Sequence, residues 1–415
     1  MSATIRHVTC EEFLQPSALR SYRWPASEPV LVNQTTRTVT GSDVELVRQS
    51  GSCIAFDLGQ LNRNTSGETL SGRIAYMLTH QKLNFNPTGA VRQEEIWVRR
   101  IARAMEREEP IDVTYPLMCV QGNWAKRMTN IGPHAGEDCT FFFFSHLNDL
   151  VRQIYAPGLR FHLFCDARLY NSAFQISEVE VTHYVRSITD RILELGLAHT
   201  IHIEDYTTAL ERHALRDYMC LYQEYNQRLA HGDATILEGV NVAGLYESVR
   251  ATVNTRRLGM SYADHRAIFG PQTDGVPHSS RFTEMITAMT DIAFREVIAT
   301  RKACAAVDVP NRVYPHALRV TCHKEQKNGV WHIGLRCYPE YYGASKLLPY
   351  HGVPLIHRGK NGLPRLEIHP EVCLRGVHSF VRVVKPTRYE DEVYFYDATH
   401  LEPNTATALI GSCEA

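Results

Sequence analysis

With 415 residues, 44 basic side chains against 45 acidic ones and a formal net charge of −1, the chain lacks the cationic excess of a nucleic-acid or membrane-surface binder. Its length exceeds what one core usually fills, so a main domain with a second part or large insertions is expected. Eleven cysteines, an odd number without a CxxC pair, suit a reduced protein better than a disulfide framework or a structural zinc site.

The opening MSATIRHVTCEEF lacks the apolar core of a signal peptide, and no window approaches a membrane span of ~18 apolar residues. A soluble, cytoplasmic protein is the expectation. Residues 1–90 are weakly patterned, apart from a helix expected at Leu70 to Leu83, and read as a preface packed on the core. From Gln93 to Glu109, Trp97, Ile101, Ala104 and Met105 share one face of an amphipathic helix. Tyr115 to Asp138 is rich in Gly, Pro and Asn and reads as a long loop carrying Lys126 and Arg127. Phe141 to Ile154 then forms a helix.

Leu159 to Cys165 alternates Leu159, Phe161, Leu163 and Cys165 with Arg160 and His162, as a buried strand does. Ser177 and Glu180 make a capping box, and Val181, Tyr184, Val185, Ile188, Ile192 and Leu195 keep helical spacing until Gly196. Thr200 to Ile203 is a second strand, so Leu159 to Tyr206 predicts a parallel βαβ unit. Tyr206 to Ala230, Ile236 to Arg256 and Ser280 to Ala305 read as helices. The texture changes after residue 305: ALRVTCH, VWHIGLRCY, VPLIHRG, PRLEIHP, FVRVVKP and EVYFYDA are strand-like, with a hairpin expected around Lys327–Gly329. The architecture inferred is α/β, with a core at 91–305 that includes a helical insertion and a β-rich C-terminal part at 306–415.

No GxGxxG, P-loop, HExxH or GxSxG motif is present. Lys126 and Arg127 suit a phosphate or carboxylate, the Arg as a fork and the Lys as a point charge. Asp166 and Arg168 stand at the carboxyl end of a parallel strand, where such sheets offer their crevice; an Asp there binds an amine or hydroxyls, or shuttles a proton. His202 and Glu204 share a face but are too few to specify a metal. Arg319, Thr321 and His323 alternate on one strand face, His332 and Arg336 share another, and His351 sits in a turn, where an imidazole can act as acid or base near neutral pH.

The order of a loop with Pro116 and Lys126, a strand ending CDARLYNSAF, a Tyr184 helix, then LRVTCH, GLRC, PYHGVPLIHRG and PRLEIH resembles the pyoverdine/dityrosine biosynthesis family, the isocyanide (isonitrile) synthases. The resemblance implies a Rossmann-like parallel sheet core, no metal or organic cofactor, and condensation of an amino acid's amine with the ketone of ribulose 5-phosphate, whose carbonyl carbon becomes the isonitrile carbon. It matches Lys126 to the family's lysine loop, Asp166 and Arg168 to its Ser-Asp-Gly-Arg strand end, Arg319 and His323 to its Arg-Leu-Ser-x-His strand, and His351 with Gly352 to its Trp-His-Gly turn. Cys165, Ala167 and Tyr350 depart from that pattern. The expected roles are Asp166, His323 and His351 as amine-binding and acid/base groups, with Lys126, Arg127, Arg168, Arg319 and Arg336 holding the substrates' anionic groups. A metal-dependent enzyme on the histidine-bearing face and a non-catalytic ligand-binding protein are the alternatives.

Overall fold

The computed structural model describes residues 36–54, 56–85, 94–128, 132–269, 280–322, 332–341, 343, 347–359, 361–375, 377, 380–385 and 392–397. The expected hairpin turn at Lys327–Gly329, His323 and the first 35 residues of the preface lie outside them. Strand β1 (Thr36–Thr38) is followed by helices α1 (Gly41–Gly51), α2 (Leu58–Asn64), α3 (Leu70–Thr79) and α4 (Glu94–Glu106). Helix α4 buries Trp97 and Ile101, the face its spacing predicts.

A parallel sheet positions the site. It comprises β2 (Ile111–Pro116), β3 (Leu159–Cys165), β4 (Ile201–Asp205) and β5 (Leu318–Arg319) in the order β4-β3-β2-β5. Helix α5 (Ala135–Arg152) crosses from β2 to β3, and α6 (Glu178–Glu194) from β3 to β4. Both lie on one face of the sheet, joined by the Arg191–Asp138 ion pair at 2.6 Å. The Phe144 ring of α5 stacks on Phe161 of β3, their centroids 4.6 Å apart. In α6 the Ser177 hydroxyl accepts from the Glu180 N–H, and Gly196 follows at φ 71°, a left-handed conformation that glycine adopts without steric cost.

The opposite face carries Phe164, which packs with Tyr206, Leu210 and Tyr218 and with Ala303, Val307 and Val309. These come from α7 (Tyr206–His213), α8 (Leu215–Ala230), α11 (Ser280–Val307) and α12 (Val309–Val313). Part of the helical segment therefore covers the sheet. Between α8 and α11 the chain forms α9 (Val242–Arg250) and α10 (Tyr262–Phe269). A second, mixed sheet of order β1-β8-β9-β6-β7 takes β6 (Val353–Arg358), β7 (Pro364–His369), β8 (Phe380–Lys385) and β9 (Glu392–Asp397), with the short α13 (Glu371–Leu374) beside it. Helix α5 also packs on β6 and β7.

Several boundaries differ from the sequence reading. The six-residue β2 was read through, although it is buried on both faces at the centre of the sheet. Helix α5 starts at Ala135 rather than Phe141, because the His134 ring takes the role of a capping hydroxyl and accepts from the Gly136 N–H at 2.9 Å. Tyr206 to Ala230 breaks at Ala214, where φ is −157° and Arg312 takes the His213 carbonyl at 3.1 Å. Ile236 to Arg256 is interrupted by Gly239 at φ 72° and restarts at Asn241, whose side chain caps the Gly244 N–H. The ALRVTCH segment joins the parallel sheet beside β2, pairing Leu318 with Val113. Among the described residues VWHIGLRCY is no regular strand: it makes isolated bridges, Ile333 to Val320 and Leu335 to Asn84. Arg336 bends this segment by donating to the carbonyls of Pro339 and Tyr341.

Candidate active site

The carboxyl ends of β2 and β3 and the segment after β5 converge on Asp166. Its half-buried carboxyl follows β3 directly and accepts the Cys119 thiol. Burial raises its pKa to about 6, against the opposing effects of that thiol and the Arg301 charge on α11. Cys165 and Cys322 lie in the same electrostatic neighbourhood as Asp166. The Cys322 thiol donates to the Pro116 carbonyl at 3.7 Å. Burial keeps all three thiols protonated, Cys322 at about 12, so none is a ready nucleophile. The buried phenol of Tyr350 senses Asp166, Cys119 and Cys322, and the His351 ring stands edge-on to Tyr350 at 4.5 Å. His351 thus reaches this neighbourhood through Tyr350.

The chain from Leu117 to Met128 leaves the end of β2 and is buried throughout. Arg127 pairs with Glu137 at 3.1 Å and donates to the Gly132 carbonyl at 2.5 Å. The Tyr184 hydroxyl donates to the same Glu137 at 3.2 Å and contacts the Met118 sulfur at 3.8 Å. Burial alone would push Glu137 up, but Arg127 and His134 outweigh it and hold the carboxyl at about 2. His134 Nε2–H donates to the Gly352 carbonyl at 2.5 Å, so the network ties the Lys126 loop to the His351 turn. Lys126 is 8 % exposed. Its ammonium takes no acceptor among the described residues, and burial lowers its pKa to about 7.

The other expected cations are differently engaged. Arg168 braces Asp205 at 3.0 Å and also pairs with Glu178. Arg336 is the loop clamp described above. Arg319 pairs with Asp308 at 2.5 Å, and His332 beside it is pushed down to about 4, mainly by burial. Arg319 registers with Thr114, and Thr114 with His162. Asp166 is four residues further along the strand direction, about 13 Å at ~3.3 Å per residue. The structure therefore places Arg319 in a different group from Asp166. That group contains His162, whose Nε2 meets Asp112 at 2.9 Å and whose Nδ1 lies 3.5 Å from Glu204.

Sequence reading missed Cys119, Glu137, His134 and Arg301, since none belongs to a short motif, and took Tyr350 only as a departure from the family's turn. Only the His-x-x-Glu spacing of the α5 cap could have signalled Glu137. Among the described residues no group of three or more His, Cys, Asp or Glu is arranged to hold a metal ion, and no helix is long and apolar enough to cross a membrane.

The family model for pyoverdine/dityrosine biosynthesis protein matches residues 101–363, which include β2 to β5 and the convergence on Asp166. The chain belongs to this family. Two curated relatives are similar to it. One is L-tyrosine isonitrile synthase of Pseudomonas aeruginosa, 26% identical over 151 residues, 36% of this chain and 44% of the relative. The other, L-tryptophan isonitrile synthase of Fischerella ambigua, is 22% identical over 230 residues, 55% of this chain and 63% of the relative. The matched regions thus span less than two thirds of either relative's length. The crystal structure of the PvcA protein of Pseudomonas aeruginosa shares the fold, with a TM-score of 0.55 at 20% identity over 79% of this chain and 99% of that one.

Proposed function

We propose that this family member is an isonitrile synthase that condenses the α-amine of an amino acid with the ketone of ribulose 5-phosphate. The observation that carries the reading is the position of Asp166: one carboxyl at the carboxyl ends of a parallel sheet, with a pKa of about 6 and no salt bridge among the described residues. Condensation begins as the neutral amine adds to the carbonyl carbon. The alkoxide takes a proton, nitrogen loses one, and water leaves to form the imine, whose carbon becomes the isonitrile carbon as its two bonds to the sugar break and the remaining sugar phosphate pieces depart. An acid whose pKa lies near working pH can take the ammonium proton and return it to the departing oxygen. Asp166 is assigned that role, with His351 as the second proton carrier and Lys126 and Arg127 drawing the anionic groups of the substrates. That the two relatives are named for tyrosine and tryptophan supports an amino acid as one substrate.

The test is incubation of the purified protein with ribulose 5-phosphate labelled with ¹³C at its ketone carbon and a panel of amino acids. A product one carbon richer, carrying the label as a terminal isonitrile, is expected in the mass spectrum. Folded protein that yields no such product from any amino acid overturns the reading.

A further inference from the structure

The loop after β2 holds an unusual surplus. Gln121 and Asn123 are fully buried, and their amide nitrogens Nε2 and Nδ2 have no hydrogen-bond partner among the described residues. The same is true of Arg127 Nε. The amide orientations are set by their oxygens: Gln121 Oε1 accepts the Asn123 N–H at 2.8 Å, and Asn123 Oδ1 accepts the Ala125 N–H at 3.0 Å. Turning either amide over would face an N–H₂ against a backbone N–H, so the unpaired ends are donors. With the Lys126 ammonium, four side chains between residues 121 and 127 offer N–H groups without acceptors among the described residues. Buried polar groups are normally satisfied, and an unpaired donor costs about 1–3 kcal/mol. Their shared complement is an oxyanion.

Position agrees with this. Gln121 is two residues from Cys119, the thiol on Asp166, and two residues span at most about 7 Å. Arg127 closes back through Glu137 and Tyr184 to Met118.

We propose that Gln121 and Asn123, together with Lys126 and Arg127 Nε, form a cradle for a phosphate monoester. Two carboxamide N–H₂ groups, an ammonium and a guanidinium N–H are more than two carboxylate oxygens can use, and suit three phosphate oxygens. The cradle rests on the proposed function for its substrate, the sugar phosphate, and adds residues to that site.

The experiment uses Gln121→Glu and Asn123→Asp in the full chain. Each keeps the oxygen that meets the backbone N–H and replaces the donor with a negative charge. Binding of ribulose 5-phosphate without amino acid is followed by calorimetry, with inorganic phosphate and acetate as competitors. The expected result is at least ~tenfold weaker sugar-phosphate binding in each variant, with phosphate competing and acetate not, and unchanged affinity for the amino acid. Unchanged sugar-phosphate affinity in folded variants overturns the cradle, as does stronger competition by acetate. If a variant does not fold, Lys126→Met decides: ³¹P line broadening of phosphate that persists there at wild-type affinity refutes the cradle. Isonitrile formation with unaffected variants refutes the cradle alone. Phosphate binding as expected with no isonitrile from any amino acid refutes the proposed function alone.

Discussion

Two polar groups share one parallel sheet and are built on opposite terms. In the His162 group the described charges lie in opposite-sign pairs: Arg160 meets Asp112 at 2.7 Å, His162 lies between Asp112 and Glu204, Tyr314 donates to Glu204 at 2.5 Å, and Arg319 pairs with Asp308. At the carboxyl ends, Asp166 has a thiol for its partner and Lys126 has none among the described residues. Paired charges stabilise a fold and leave nothing for a ligand; unpaired ones destabilise it and suit a substrate. The sheet thus keeps its structural electrostatics and its chemistry at different levels of the same strands.

The largest expected effect comes from Asp166→Asn. Loss of a general acid/base should lower kcat by about 10²–10⁴, and the acid limb of the kcat/KM profile, expected near pH 6 in the wild-type protein, should vanish. The folded pKa of Asp166 lies above its unfolded value, so its contribution to stability is present at low pH and lost as pH rises through about 6. The variant should therefore be more stable than wild-type above that pH, by about 1–3 kcal/mol in urea denaturation. An inactive variant that is also less stable would break the contrast between the groups.

Glu137→Gln removes one partner of a fully buried ion pair and leaves Arg127 uncompensated. A loss of about 3–5 kcal/mol is expected, measured as a lowered urea midpoint with an unchanged m-value. His162 tests the paired group. Burial opposes its charge, but Asp112 and Glu204 outweigh that and raise its pKa. Its stabilisation is then full below pH ~6.5, the unfolded value, and is lost as pH rises through the folded one. His162→Gln should cost about 1.5–3 kcal/mol below that pH, flatten the stability profile, and leave isonitrile formation within about twofold. The smallest effect is Arg168→Ala: its ion pairs are partly exposed, so about 0–1 kcal/mol is expected. A much larger rise in KM for the sugar phosphate would move Arg168 into the binding site.

Much of the frame was legible because its signals are local. The alternation of β3, the Ser177 cap, the stripe of α6 and the Gly196 stop all lie within one βαβ unit, where period and capping chemistry act over a few residues. Strand β2 escaped notice although Ile111, Val113 and Tyr115 alternate with Asp112 and Thr114, because the run is only six residues long and its central role comes from flanking strands far away in sequence. Arg168, Arg319 and Arg336 were selected as cations, yet a guanidinium's use depends on whether an acid or carbonyl reaches it, which spacing does not encode.

The sequence by itself determined the α/β class, the parallel unit at Leu159 to Tyr206 and the placement of Asp166 at a strand end, because these follow from periodicity and from the geometry of parallel strands. Only the tertiary structure decided which charges are paired. It put Cys119 on Asp166, tied Arg127 to Glu137 and Arg319 to Asp308, and left the donors of Gln121, Asn123 and Lys126 without acceptors among the described residues. Pairing is a matter of distance across the fold, and each of those distances depends on how segments remote in sequence are packed.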